Sequence, residues 1–250
     1  MTQPTAWPAG HALRHLEEID STNEEARRVA AAGVQGPLWI LADRQISGRG
    51  RRGREWHSLP GNLSATLLLN PASRIAQCAQ LSFVAALAAF DLVVEHAPLA
   101  SVELKWPNDV LVGGRKIAGI LLEASGKGAG APDWLAIGFG INLVWHPTDG
   151  EFPATSFLAI GARPPPAQDA LVYLAASWSG WYHVWEQQSF APIRDAWLGR
   201  AAGIGERLRA RLPGEEIVGV FEGIDNSGAL LLRESGGTRR TIAAGDVYFS

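Results

Sequence analysis

Polar residues open the first periodic stretch of the chain. Asp20-Ser21-Thr22-Asn23-Glu24 reads as a helix start, with Ser21 and Glu24 at capping-box spacing. The helix is predicted to run through Ala30–Ala32 and to stop at Gly33, and residues 1–14 form a weakly specified entry. Leu38–Ala42 is a short apolar run of strand character. Leu63, Ala65, Leu67 and Leu69 alternate with Ser64 and Thr66, the period of a strand. Ile75–Glu95 has helix length and is apolar around most of its circumference, which predicts a central buried helix. Val102–Trp106 reads as a strand stopped by Pro107. Val110–Val112 and Ile117–Glu123 flank Gly113-Gly114 and predict a hairpin, and Trp134–Val144 is a further strand.

Farther on, Leu171, Leu174, Trp178, Trp181 and Trp185 recur at spacings of three and four. They form one stripe on a helix, read as a buried face in preference to a cofactor box. Gly203-Ile204-Gly205 marks a change of pattern. Leu208, Ala210 and Leu212 then alternate with Arg207, Arg209 and Arg211, and Asp225-Asn226-Ser227-Gly228 and Gly236-Gly237 supply tight turns. These short strands predict a small β-barrel appended to the main unit. The expected organisation is α+β, with a main domain over residues 1–202 and a small domain over 203–250.

Composition narrows the class. Of 250 residues, 47% are hydrophobic and 19% charged, a globular balance that excludes wholesale disorder. Cys78 is the single cysteine, so no internal disulfide and no cysteine-based zinc site can form, and a reducing compartment fits. Twenty-two Lys and Arg against 25 Asp and Glu give a formal charge of −3, which argues against a generally basic nucleic-acid binder. The first residues show no secretory signal. The stretch Ile75–Phe90 contains Gln77, Gln80 and Ser82 and is expected to fall short of the roughly 18–20 apolar residues of a membrane span. A cytoplasmic protein is expected.

The densest chemistry lies in Gly48-Arg49-Gly50-Arg51-Arg52-Gly53-Arg54. With Arg44 this makes five arginines in eleven residues and no acid among them. Such a loop repels itself unless an anion is near, and arginine forks suit phosphate or carboxylate oxygens. Gly48-x-Gly50-x-x-Gly53 matches the dinucleotide fingerprint only formally, because no helix start follows it. An RNA-binding Arg-Gly tract or a solvated, disordered loop are the other readings of the same run.

Two more segments stand out. Lys105-Trp106-Pro107-Asn108-Asp109 sits at a strand end, and Arg115-Lys116-Ile117-Ala118-Gly119-Ile120-Leu121 starts an apolar strand. Taken alone, Lys116 is either functional or snorkels to solvent, and Asp109 reads as a turn cap. Gly138 and Gly140 within an apolar strand mean a close approach or a bulge, and on their own a bulge is the simpler reading. Gly126-Lys127-Gly128 lacks the spacing of a phosphate-binding loop, there is no Gly-x-Ser-x-Gly elbow, and the six histidines are scattered without metal-ligand spacing.

In order and spacing, Asp20-Ser21-Thr22-Asn23, Gln45 with the arginine loop and Trp56, Lys105–Asp109, Arg115–Leu121 and Gly138-x-Gly140-Ile141-Asn142 resemble the biotin protein ligase family across roughly residues 15–145. The resemblance implies a mixed-sheet catalytic domain with a C-terminal SH3-like barrel. It implies activation of biotin by Mg-ATP to biotinyl-5′-adenylate and pyrophosphate, then transfer to a lysine of a biotin carboxyl carrier protein. ATP and Mg2+ enter as co-substrate and biotin as substrate, with no bound prosthetic group and no protein-held metal.

By the same resemblance, Ser21, Thr22, Asn23 and Gln45 face the ureido end of biotin. Arg49, Gly50 and Arg51 belong to a loop over biotin and adenylate. Lys116, near Gly119, touches the carboxylate and the α-phosphate. Trp56 flanks the adenine, and Arg54, Asn108 and Asn142 join the nucleotide side. Asp109 orients or deprotonates the acceptor lysine. Lys116, Asp109 and Arg51 are the expected catalytic group.

A related lipoate or octanoate ligase or transferase is the alternative enzyme. Bifunctional members carry an N-terminal winged helix. Only twenty residues precede Ser21, so a monofunctional enzyme without sequence-specific DNA binding is expected. The carrier partner would belong to acetyl-CoA carboxylase or a similar biotin-dependent enzyme. No membrane partner is expected, and a weak homodimer is, because the sheet must present an edge.

Overall fold

The structure, a computed structural model, describes residues 6–126 and 129–249. Of Gly126-Lys127-Gly128 only the first residue lies within the described residues. The main sheet has seven strands: β1 (Ala12–Ile19), β2 (Leu38–Gln45), β3 (Leu63–Leu69), β4 (Val102–Lys105), β5 (Asp109–Val112), β6 (Arg115–Ser125) and β7 (Trp134–Ile141). Their spatial order is β1-β2-β3-β7-β6-β5-β4. β1 and β2 are parallel and the remaining pairs antiparallel, so the sheet is mixed and mainly antiparallel, in keeping with an α+β fold.

β1 occupies residues assigned in part to an irregular entry. Its side chains are mostly exposed, so it lacks the apolar alternation that marks a half-buried strand. It is held by parallel pairing, from Ala12 with Leu38 to Ile19 with Gln45.

The two faces of the sheet have different tasks. On one face α3 (Leu81–His96), α4 (Ala167–Gln188) and α5 (Ala191–Leu198) cover the main core. The predicted long helix divides, since α2 (Ile75–Cys78) ends before α3 begins. In length and apolarity Ile75–His96 does match a membrane span, contrary to the expectation, but most of it is buried in the protein interior. Its Gln80 is used inside the fold, accepting from Trp185 Nε1 at 2.9 Å. The stripe on α4 is core. Leu171, Leu174, Trp178 and Trp185 are buried, while the half-buried Trp181 donates its indole N–H to Asp91 at 2.7 Å.

On the opposite face α1 (Thr22–Ala31) covers only part of the sheet, through Ala26 and Val29 against Leu38, Ile40, Leu68 and Ala136. The rest of that face stays open as the floor of a cavity. Strand alternation sorts the residues accordingly. On β7, Leu135, Ile137, Phe139 and Ile141 enter the helix-covered core, while Gly138 and Gly140 line the cavity. On β3, Ser64 and Thr66 are fully buried on the cavity-side face, so the alternation read as half-buried separates two buried environments.

After residue 202 come β8 (Arg207–Leu212), β9 (Glu215–Ile224), β10 (Leu230–Arg233), β11 (Arg239–Ile242) and β12 (Asp246–Phe249). They form one antiparallel sheet in the order β11-β10-β9-β8-β12, consistent with an SH3-like unit. This sheet docks on the main unit. Trp106 Nε1 donates to the Gly228 carbonyl at 2.9 Å, and a side chain at Gly228 would run into the Phe83 ring.

Candidate active site

The N-terminal end of α1 supplies the polar wall of the cavity. Asp20 accepts the Ser21 N–H at 2.7 Å and two bonds from Arg28, both at 2.7 Å, which holds its carboxyl down at about 2. The expected capping box does not form. Ser21 occupies the N-cap position without a side-chain cap bond, and Glu24 pairs with Arg27 and Arg49. Ser21 is buried at the cavity lining instead.

A buried relay follows. Gln45 Oε1 accepts from the Thr22 N–H at 2.8 Å and from its hydroxyl at 3.0 Å. Thr66 meets Thr22 Oγ1 at 2.8 Å and donates to Asn23 Oδ1 at 2.6 Å. Asn23 Nδ2 donates to Glu123 at 2.7 Å. Each link leaves little freedom for the next, so this wall presents neutral donors and acceptors in fixed directions.

The two glycines of β7 mark close approaches, and the register of β7 with β3 and β6 is unbroken. The bulge reading is therefore replaced. A Cβ on Gly138 would collide with the Asn23 amide, and one on Gly140 with the Trp56 indole. Gly119 pairs with Gly140 across the strands and would also press on Trp56, at 3.2 Å. Trp56 thus lies on a floor of paired glycines, with Lys116 Nζ 5.4 Å above its ring.

Lys116 and Asp109 belong to the β5–β6 hairpin, and their charged ends meet at 2.7 Å. The contact is ionic and lacks hydrogen-bond direction, which leaves the buried Asp109 Oδ1 with acceptor capacity to spare. Of the two readings of Lys116 taken alone, snorkelling to solvent is excluded because it is turned inward to the cavity, and Asp109 pairs across the hairpin in place of capping a turn. Asn108 closes the neighbouring turn, donating to the Ile120 carbonyl and accepting the Ile120 N–H on its own carbonyl at 3.0 Å. Asn142 is buried and donates to Thr155 O at 3.0 Å.

The arginine loop folds back on itself through Arg49 and Glu55, with Gly50 N–H on Arg54 O at 2.7 Å. Arg52 and Gly53 take positive φ, 56° and 72°. The loop's charge is matched from within the chain. Arg49 meets Glu24 and Glu123; Arg52 and Arg54 reach Asp246 at 3.0 and 2.8 Å, and Arg54 also approaches Glu151 at 3.4 Å. Arg51 is the more buried member, and desolvation lowers its pKa. It reaches Asn108 Oδ1 at 3.4 Å and Gly245 O at 3.2 Å.

Every candidate residue named from the sequence lines this one cavity. Sequence reasoning missed Asp246, Glu151, Phe152 and Glu123, which also line or border it. Asp246 stands 192 residues from its partner Arg54, and nothing in its local sequence signals that partnership. Lys105, of the Lys105–Asp109 segment, lines the cavity as well.

Family models match two parts of the chain: the biotin/lipoate A/B protein ligase family over residues 16–142, and the biotin protein ligase C-terminal domain over residues 203–250. A biotin–[acetyl-CoA-carboxylase] ligase of Paracoccus denitrificans is 47% identical over 94% of this chain and 99% of its own length. The bifunctional ligase/repressor BirA of Bacillus subtilis is 31% identical over 94% of this chain and 73% of its own. Among solved structures, the biotin protein ligase of Aquifex aeolicus in complex with biotin and ATP superposes with a TM-score of 0.82 at 28% identity, covering 96% of this chain and 99% of that one. With both its parts matched and relatives aligned along nearly its whole length, the chain belongs to the biotin/lipoate A/B protein ligase family.

Proposed function

We propose that the chain is a biotin protein ligase that activates biotin with ATP and transfers it to a carrier lysine. One observation carries this reading. A single cavity is lined both by the neutral wall of Thr22, Asn23 and Gln45 and by two cations, Lys116 and Arg51. A cyclic urea offers two N–H donors and one carbonyl, and burying it calls for such a wall. A carboxylate attacking a phosphate calls for the cations.

In the first half-reaction a biotin carboxylate oxygen attacks the α-phosphorus. The bond from phosphorus to the β-bridging oxygen breaks, and pyrophosphate leaves with the electron pair. Lys116 offsets the repulsion between the two anions, and Arg51 holds charge on the transferring phosphoryl group. Trp56 flanks the adenine, with Arg54, Asn108 and Asn142 on the nucleotide side. Arg49 and Gly50 close the loop over biotin beside Gly119, and Ser21 completes the ureido pocket.

In the second half-reaction a neutral carrier lysine attacks the acyl carbon and AMP leaves. The spare acceptor capacity of Asp109 suits orienting that amine or taking its proton.

Among the described residues no cluster of three or more His, Cys, Asp or Glu is placed to hold a metal. Mg2+ is therefore assigned to the nucleotide, whose phosphates supply most of its ligands. We place the acceptor on the biotin carboxyl carrier protein of acetyl-CoA carboxylase or a similar enzyme, the reaction in the cytoplasm, and the domain boundary at residue 203. The exposed edge of β1 supports weak pairing with a second copy; sedimentation over a range of concentrations tests it.

The deciding experiment is biotin-dependent ATP–pyrophosphate exchange, followed by labelling of a purified carrier domain. Exchange with lipoate in place of biotin would refute the substrate assignment, and no exchange with either would refute the ligase reading.

A further inference from the structure

Lys105 sits at the last position of β4, beside Asp109 in the strand register, and lines the cavity. The residue is only 8% exposed. Burying an ammonium is costly unless it is paired, yet among the described residues no carboxylate stands within ion-pair distance of its nitrogen. Three aromatic rings surround it: Phe152 at 4.2 Å, Phe249 at 5.5 Å and Tyr248 at 5.9 Å. Two of these rings come from β12, at the far end of the chain.

The cage holds the charge without neutralising it. Arg54 lies over the same Phe152 ring at 5.5 Å. Two cations sharing one ring repel each other, and only Arg54 has carboxylate partners, in Asp246 and Glu151. Desolvation lowers the Lys105 pKa, Asp109 and Asp246 pull it back up, and Lys116 and Arg54 oppose them. The ammonium, without a direct ion pair, thus shares the cavity with the lysine assigned to the α-phosphate.

We infer that Lys105 binds the leaving pyrophosphate, and that Phe152, Tyr248 and Phe249 hold it ready for that anion. The inference rests on the ligase reading. As the bond between the α-phosphorus and the β-bridging oxygen breaks, negative charge grows on the diphosphate, and Lys105 Nζ donates a hydrogen bond to it. In the reverse direction the same contact binds incoming pyrophosphate. The C-terminal unit thereby completes the nucleotide site through the aromatic rings of β12.

The test uses the full chain in ATP–pyrophosphate exchange with varied pyrophosphate, alongside single-turnover transfer from supplied biotinyl-5′-adenylate. Lys105→Met keeps the stem and removes the charge. It should raise the KM for pyrophosphate about ten- to hundredfold, the worth of one charge-assisted hydrogen bond, and leave transfer within about twofold of the unaltered chain. Lys105→Arg should recover most of the pyrophosphate affinity. An unchanged pyrophosphate KM in Lys105→Met, or equal losses in both half-reactions, overturns the assignment. If Lys105→Met melts before assay, Phe152→Leu keeps the ammonium and loosens its cage. That variant should raise the pyrophosphate KM severalfold with transfer unaffected, and an unchanged KM there overturns the proposal as well. The unaltered chain separates the two levels: failure to exchange at all refutes the ligase reading, whereas normal exchange with an indifferent Lys105→Met refutes only Lys105.

Discussion

Lys116 shares a face of the main sheet with Asp109 because of one extra residue in the hairpin between them. Asp109 pairs with Gly119 and Val110 with Ala118, but Leu111 then pairs with Lys116 and not with Ile117. Ile117 and Ala118 both enter the helix-covered core, so Ile117 is the bulged residue. In an unbroken strand Lys116 would have the parity of Ala118 and point into that core. The bulge re-aims it to the cavity, where it meets Asp109 at 2.7 Å.

The pair divides the two half-reactions. Lys116→Ala should lower adenylation about a hundredfold or more, the scale of a lost electrostatic contact in a closed site, and lower transfer from supplied adenylate far less. Asp109→Asn keeps the shape, removes the anion and should chiefly slow transfer. Rapid-quench measurement of each half-reaction checks both. Equal losses on the two sides for Lys116→Ala would refute its role, as would wild-type transfer with collapsed adenylation for Asp109→Asn.

The glycines of β7 offer a cleaner separation of substrates. Gly138→Ala drives a methyl group into Asn23, and Gly140→Ala drives one into Trp56. The first should weaken biotin binding and spare the nucleotide; the second should do the reverse. Overpacking of this kind costs about 1–3 kcal/mol, or roughly five- to 150-fold in affinity. Calorimetry with biotin and ATP in turn distinguishes the two, and identical effects on both ligands would remove the split between wall and floor.

How much of this was legible follows from where each signal is stored. The elements with strong local periodicity, from α1 to the β5–β6 hairpin, stand close to their predicted bounds, except that the long apolar helix divides between Cys78 and Leu81. The arginine run, Lys116 and the β7 glycines stood out because each breaks a local rule. β1 did not stand out, because its side chains are mostly exposed and pairing alone holds it. Nor did the bulge at Ile117, whose residue type fits either parity. The acids that neutralise the arginine loop were invisible for a different reason. Asp246 and Glu151 stand 192 and 97 residues from Arg54, and only tertiary docking brings them there.

Acid should loosen the start of α1. Hydrogen bonds from Arg28 hold the Asp20 carboxyl at about 2, below its ordinary value. A depressed carboxyl contributes stability above its unfolded pKa and loses it as pH falls toward the folded one. The contribution is thus present above about pH 4 and fades toward about pH 2. With Asp20 41% exposed, solvent screening keeps it under about 1 kcal/mol. Urea unfolding at pH 7 and near pH 3 should show a smaller acid loss in Asp20→Asn than in the unaltered chain, and parallel losses would exclude Asp20 as a source.

Arg51 should govern how long the activated intermediate stays bound. The loop's arginines are partly balanced by Asp246, which lies 4.0 Å from Arg51 and closer to Arg52 and Arg54. Of the three loop arginines that reach Asp246, Arg51 is the least committed to it, and desolvation already weighs against its charge. An adenylate phosphate supplies the counter-charge it lacks, at roughly 1.5–3 kcal/mol for a charge-assisted contact. Ordering loop backbone opposes this at about 1–2 kcal/mol per residue fixed, so losing one clamp shifts the balance toward opening. Arg51→Gly removes that clamp without filling the cavity. The adenylate's dissociation rate should rise about tenfold or more by the same contact energy, while biotin binding changes little. Released mixed anhydride should then acylate exposed lysines of unrelated proteins. Stopped-flow dissociation of biotinyl-5′-adenylate, with hydrogen exchange over residues 44–54, measures both the escape and the closure. An unchanged dissociation rate together with unchanged protection on ligand binding would take the loop out of the mechanism.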